Sequence, residues 1–175
     1  MRGKSPDPVL IVGYDPRWPV GFLTLRGRLE PVLGELAVAI EHVGSTSVPG
    51  LPAKPIIDLD VVVRSPADVP LAIERLSSLG YVHVGDLGIA GREAFESPEG
   101  APEHHLYLCS RDSRELHRHL AFRDYLRSHP KTAGEYAELK RSLAERFRDD
   151  REAYTEAKTR FIEQVLKDAQ KGKNV

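Results

Sequence analysis

The chain has 175 residues, 41% hydrophobic and 29% charged, which suits a water-exposed fold with one sizeable core. No apolar run approaches the roughly 20 residues that span a bilayer, so no membrane partner is expected. The net charge of −1 gives no general pull toward nucleic acid, and the single cysteine, Cys109, excludes an internal disulfide and argues against a cysteine-based zinc cluster. Such cysteine usage suits a reducing, cytoplasmic setting, and the start, Met1–Pro6, has basic residues without the apolar segment of a secretory signal.

In chain order, Val9–Val12 reads as a short strand or extended arm ended by Gly13. Asp15-Pro16 opens a helix, a capping side chain followed by proline at the first helical position, and Phe22, Leu25, Leu29, Val32 and Leu33 recur at helical spacing up to Gly34. Ala37–Val43 is a strand leading into Gly44-Ser45-Thr46-Ser47. Pro49, Pro52 and Pro55 exclude a helix between His42 and Ile56. Ile56–Val63 is apolar at nearly every position except Asp58 and Asp60, as in a strand buried on both faces.

Ser65-Pro66-Ala67-Asp68 starts a second helix that carries Val69, Ile73, Leu76 and Leu79 and stops at Gly80. Strands follow at Tyr81–Val84, Arg92–Glu96 and His104–Cys109, with glycine-rich turns between the first two. Beyond Ser110 the pattern becomes helical. A helix over Ser113–His129 is broken by Pro130, a further one is capped at Thr132-Ala133-Gly134-Glu135, and a last one after Asp149-Asp150 carries Tyr154, Phe161, Ile162, Val165 and Leu166. The reading is an α+β fold, a mixed sheet flanked by helices with a helical segment packed on it. It forms one domain over 1–170, with an α+β front (9–110), a helical back (113–168) and a frayed polar tail at 171–175.

The chemistry centres on His42–Val63. Asp58 and Asp60 stand at i and i+2 on a strand and point to one face. Two adjacent carboxylates are stabilised by a cation between them, and Mg²⁺ takes one or two carboxylates together with substrate phosphates. The same pair also fits a strand end in solvent or ion pairs with Arg or Lys. Gly44 and Ser45 offer backbone and hydroxyl donors of the kind that cradle phosphate, although such a run by itself also makes an ordinary turn.

With twelve residues between Ser45 and Asp58, this stretch resembles the signature of the polymerase-β-like nucleotidyltransferase superfamily: Gly-Ser, a spacer, then carboxylate-hydrophobic-carboxylate. The chain more closely resembles the GrpB-like family placed within it. The resemblance is carried by His42–Leu51, Lys54–Asp58, Gly80-Tyr81, Phe122–Leu126, Tyr136 with Leu139-Lys140, and Tyr154 with Lys158, and Asp15 and Trp18 also fit. It implies Ser45 on a triphosphate, with Gly44, Thr46 and Lys54 beside it, and Asp58 and Asp60 as the catalytic carboxylates that hold Mg²⁺ or Mn²⁺. It also implies a third carboxylate on a later strand, where this chain has His104 and His105. Glu93, Glu96 and Glu103 are candidates by position alone.

The pairs Tyr136/Lys140 and Tyr154/Lys158 each share a helix face. They either bind a phosphate tail and a base, or pack with the tyrosine inward and the lysine reaching to water. Lys54 is a phosphate ligand or a solvated loop lysine. His42 braces the loop or is a hydrogen-bonded core residue. His105 is a metal ligand, a base or a surface residue, and Arg123 is a phosphate clamp or an ion-pair partner of Asp124. The expected function is metal-dependent nucleotidyl or related phosphoryl transfer from a nucleotide to a small acceptor. The alternative is a non-catalytic nucleotide- or CoA-related binding domain. A homodimer is compatible with either.

Overall fold

The computed structural model describes residues 8–172; the expectations for Met1–Pro6 and for the last three residues of the tail fall outside them. Helix α1 (Arg17–Leu33) starts as Asp15 accepts a hydrogen bond from the Arg17 N–H at 2.9 Å, and stops at Gly34, whose φ of 55° few other residues adopt. Strand β1 (Ala37–Val43) leads into a single 3₁₀ turn, Ser45–Ser47, which lies ahead of the three prolines; a second turn follows, closed by the Leu51 N–H donating to the Val48 carbonyl at 3.1 Å. After β2 (Ile57–Val63) comes the expected capping box, in which the Ser65 N–H and hydroxyl donate to the Asp68 carboxylate at 3.0 and 3.2 Å. It opens a 3₁₀ turn that runs into α2 (Val69–Ser77).

Strands β3 (Val82–Gly85), β4 (Glu93–Glu96) and β5 (His104–Ser110) complete a five-stranded sheet of order β1-β2-β5-β4-β3. The β2–β5 pair is parallel and the others antiparallel, so the sheet is mixed and the fold α+β. Helix α3 (Arg114–Ser128) follows. Helix α4 (Pro130–Arg146) starts at Pro130 and not at Thr132, a correction with a simple cause. The ring that stops α3 also presets the backbone angle of a first helical residue, so one proline ends one helix and begins the next. The expected last helix is two, α5 (Arg151–Ala157), capped by the Asp150 carboxylate, and α6 (Thr159–Lys171), with the break at Lys158. Among the described residues no helix is long and apolar enough to cross a membrane.

The alternation along β2 sorts the molecule into two sides. Ile57, Leu59, Val61 and Val63 pack with Leu29 and Leu33 of α1, Leu76 of α2 and Leu106 and Leu108 of β5. On the opposite face Val62 meets Cys109 and Leu116 beneath α3, which leaves Asp58 and Asp60 on that same side. Cys109 is a buried packing residue there, with burial pushing its thiol far above the usual range. The arm Val9–Val12 bridges Ala53 and packs Val9 and Ile11 against Leu143 and Tyr154, so it fastens the helical back to the loop.

Candidate functional site

Residues from the loop, β2, β5 and the α5–α6 break line an open cavity of about 1290 Å³. Ser45, Thr46, Lys54, Asp58, His105, Lys140, Tyr154 and Lys158 of the sequence-derived set all line it. Asp60, Gly44 and Tyr136 lie behind that surface. Gly44 has φ of 72°, and a Cβ there would run into the Asp58 carboxylate, so only glycine lets the loop turn against β2. Tyr136 is buried beside Ser45, in hydrogen-bond contact with it, and stacks on Phe161, so it packs inward. Arg123 is placed as an ion-pair residue and not at the cavity. Its guanidinium meets Glu41 at 2.7 Å and Asp124 at 2.8 Å and donates to the His42 carbonyl at 3.1 Å.

His42 combines both of its expected roles. It stacks on Phe22, with ring centroids 4.8 Å apart, and hydrogen-bonds Thr46 at 2.9 Å, and burial holds its pKa down to about 4, so it stays neutral as a brace under the loop. Arg127, which sequence reasoning passed over, donates twice to the Ser47 carbonyl at 3.0 and 2.8 Å and secures the loop's far end.

The carboxylate wall differs at its two positions. Asp58 Oδ1 accepts from His105 Nδ1 at 2.8 Å, its neighbour in the β2–β5 register. Asp60 is fully buried; Oδ2 accepts from His119 Nδ1 of α3 at 2.7 Å, while Oδ1 has no partner. Burial raises the Asp60 pKa, partly opposed by His119. Burial also lowers that of His119, but the hydrogen bond and charge of Asp60, joined by Glu115 and Asp58, raise it more and the net shift is upward. His119 is the second residue missed in the sequence. The two share a signal, since 119, 123 and 127 form a cationic stripe at four-residue steps on α3.

The position beside Asp58 on β5 belongs to His105 and that beside Asp60 to Tyr107, so β5 supplies no carboxylate at either. His104 turns to the other face, bonded to Tyr81 at 2.8 Å and to the Pro102 carbonyl. Glu93 pairs with His83 at 2.6 Å, and Glu96 lines the cavity. Among the described residues no three or more His, Cys, Asp or Glu side chains are grouped to hold a metal. The pair nevertheless suits a hard divalent cation. A buried carboxylate oxygen without a partner is costly, and Mg²⁺ needs only one or two carboxylates when water and phosphate complete its shell.

Three lysines also gather at the cavity, whose lining in and just before α5 carries Arg151 together with the carboxylates Asp149, Asp150, Glu152 and Glu156. Lys54 and Lys158 lie over the Tyr154 ring, 5.5 and 4.4 Å from its centroid. Lys140 is almost fully buried, donates to the Pro52 carbonyl and sits 4.7 Å from the Tyr136 centroid. Burial, reinforced by repulsion from the other lysines, pulls Lys140 down to about 7 and, with Lys54 beside it, Lys158 to about 8. Burial likewise lowers Lys54. Such crowding of buried cations favours an anion in the cavity.

Comparison with known proteins agrees with this architecture. The family described as GrpB protein matches residues 8–168. UPF0157 protein YqkA of Bacillus subtilis is 39% identical over 94% of this chain, which spans 48% of that relative's length. The crystal structure of conserved protein GrpB from Enterococcus faecalis superposes with a TM-score of 0.85 at 36% identity, covering 95% of this chain and 100% of that one. Cid1, solved with its short product ApU, superposes with a TM-score of 0.50 at 14% identity over 74% of this chain and 40% of its own, a likeness of fold alone. The chain belongs to the GrpB family, and part of its fold is shared with Cid1.

Proposed function

We propose that the cavity binds a nucleoside triphosphate with Mg²⁺ or Mn²⁺ and transfers its nucleotidyl group to a small acceptor. The observation that carries this reading is the gathering at one cavity of Asp58, with the buried Asp60 beside it on β2, and of Lys54, Lys140 and Lys158. The lysines offset the charge of the phosphate tail, and the Ser45 hydroxyl donates to it. A cation held by Asp58 and Asp60 supplies charge neutralisation at the transferring phosphate. His105 keeps its proton on Nδ1, where it donates a hydrogen bond to Asp58, and Nε2 takes the proton of the acceptor hydroxyl. The acceptor oxygen bonds to the α-phosphorus as the bond to the bridging oxygen breaks, and pyrophosphate leaves in line. The helical back and the sheet act together as one domain in this scheme, and the setting is cytoplasmic.

The presence of His105 and Tyr107 where a third carboxylate would complete the site favours a second reading, a nucleotide- or CoA-related binding domain without turnover. Pyrophosphate release over a panel of nucleotides and acceptors separates the two. Transfer predicts Mg²⁺-dependent release that disappears in Asp58→Ala. Saturable binding without release under every condition overturns transfer in favour of binding.

A further inference from the structure

Helix α3 lays His119, Arg123 and Arg127 along one face, and each reaches a different part of the site. His119 meets Asp60 of β2, Arg123 the last residues of β1, and Arg127 the Ser47 carbonyl. We propose that His119 is a positioning residue for the metal site. Its hydrogen bond to Oδ2 turns the Asp60 carboxylate so that Oδ1 is presented for a divalent cation. The proposal rests on the reading of Asp58 and Asp60 as a metal-holding pair.

Three observations support it. A buried carboxylate kept only for an ion pair gains by partnering both oxygens, yet Asp60 uses one and leaves the other, also buried, without a protein partner. The histidine is itself held. Its Nε2 faces Glu115 at 3.6 Å, and Glu115 is fixed by Arg118 at 3.0 Å, which also reaches Glu163 on α6 at 2.7 Å. A carboxylate thus lies on each side of the imidazole, and only the one from Asp60 is within hydrogen-bond distance. Finally, the guanidinium of Arg92 contributes positive charge near Asp60 while lying 4.3 Å from the Tyr107 centroid, and its buried Nε makes no hydrogen bond. Asp60 thus has a second cation nearby, and the bond from α3 is the one that sets its orientation. Groups that orient a metal's ligands in this way commonly matter almost as much as the ligands themselves.

The test is a Mn²⁺ titration of the 175-residue chain, following free Mn²⁺ by its paramagnetic resonance signal, with melting measured without metal to verify folding. His119→Ala is expected to weaken Mn²⁺ binding about 10- to 100-fold. His119→Asn places an amide donor near the former Nδ1 and is expected to recover most of that affinity. Wild-type affinity in His119→Ala overturns the proposal, and so does equal loss in both variants. Asp58→Ala separates the two levels. If it loses Mn²⁺ while His119→Ala does not, the metal reading stands and the role of His119 falls. If the wild-type chain takes up no Mn²⁺, both fall.

Discussion

The two faces of β2 are built from alternate residues of one strand and follow opposite rules. On the α1–α2 side, Leu59, Val61 and Val63 are completely buried among aliphatic neighbours. On the α3 side, Asp58 and Asp60 occupy the intervening positions, one at a cavity wall and one fully buried with a bare oxygen. The first face satisfies every local demand of packing. The second gathers groups that packing leaves unsatisfied, a carboxylate oxygen without a protein partner on the strand and, across the same cavity lining, buried lysines held below their ordinary pKa. A strand with period-two patterning can therefore stabilise the fold with one set of residues and keep a polar site with the other.

Substitutions test that division, beginning with the largest effect. Asp58→Ala is expected to lower Mg²⁺-dependent nucleotidyl transfer about 100- to 1000-fold while leaving the metal-free melting temperature near that of the parent, as seen by comparing turnover and thermal denaturation. Leu59→Ala should do the reverse. It is expected to cost about 2–5 kcal/mol in chemical denaturation, with Mn²⁺ affinity retained by the folded fraction. Loss of metal binding by Leu59→Ala at full folding would blur the two faces. Lys158→Met is expected to weaken triphosphate binding about 10- to 100-fold in calorimetry, because a charged donor to phosphate is removed.

Gly44→Ala joins the two sides. It forces a Cβ into the Asp58 carboxylate at a positive φ, so about 1–3 kcal/mol of stability should be lost together with Mn²⁺ affinity. The last effect is in pH. Lys140 and Lys158 are held near 7 and 8 against an ordinary 10.5, so between those values the unfolded chain binds more protons and stability rises with pH. Denaturation midpoints from pH 7 to 10 should show this slope, and Lys158→Met should flatten it.

Much of this arrangement is legible in the sequence because it is local. The i, i+2 spacing of Asp58 and Asp60, the Gly44-Ser45 turn and the Ser65–Asp68 capping box depend on neighbours within a few positions. The lysine pairs are legible as helix faces, but their convergence is not. Lys158 reaches Tyr154 and the cavity where the chain breaks between α5 and α6, and the apolar pattern runs through that break unchanged. His119 is hidden for a similar reason. It meets Asp60 across 59 positions, and α3 reads most easily by its leucines, although its cationic residues recur at four-residue steps. Arg123 is ambiguous until Glu41 is seen against it, 82 positions away. Pro130 is misread as only a stop because the same ring geometry suits the first position of the next helix.

The central claim is that one ligand engages both the β2 aspartates and the cavity lysines. It is tested most directly by calorimetric titration of nucleoside triphosphates into the chain, with Mg²⁺ and with a chelator, for the wild type, Asp58→Ala and Lys158→Met. The account predicts saturable binding to the wild type that weakens in the chelator and in each variant. Absence of binding by every triphosphate, or binding unchanged in both variants, would contradict it.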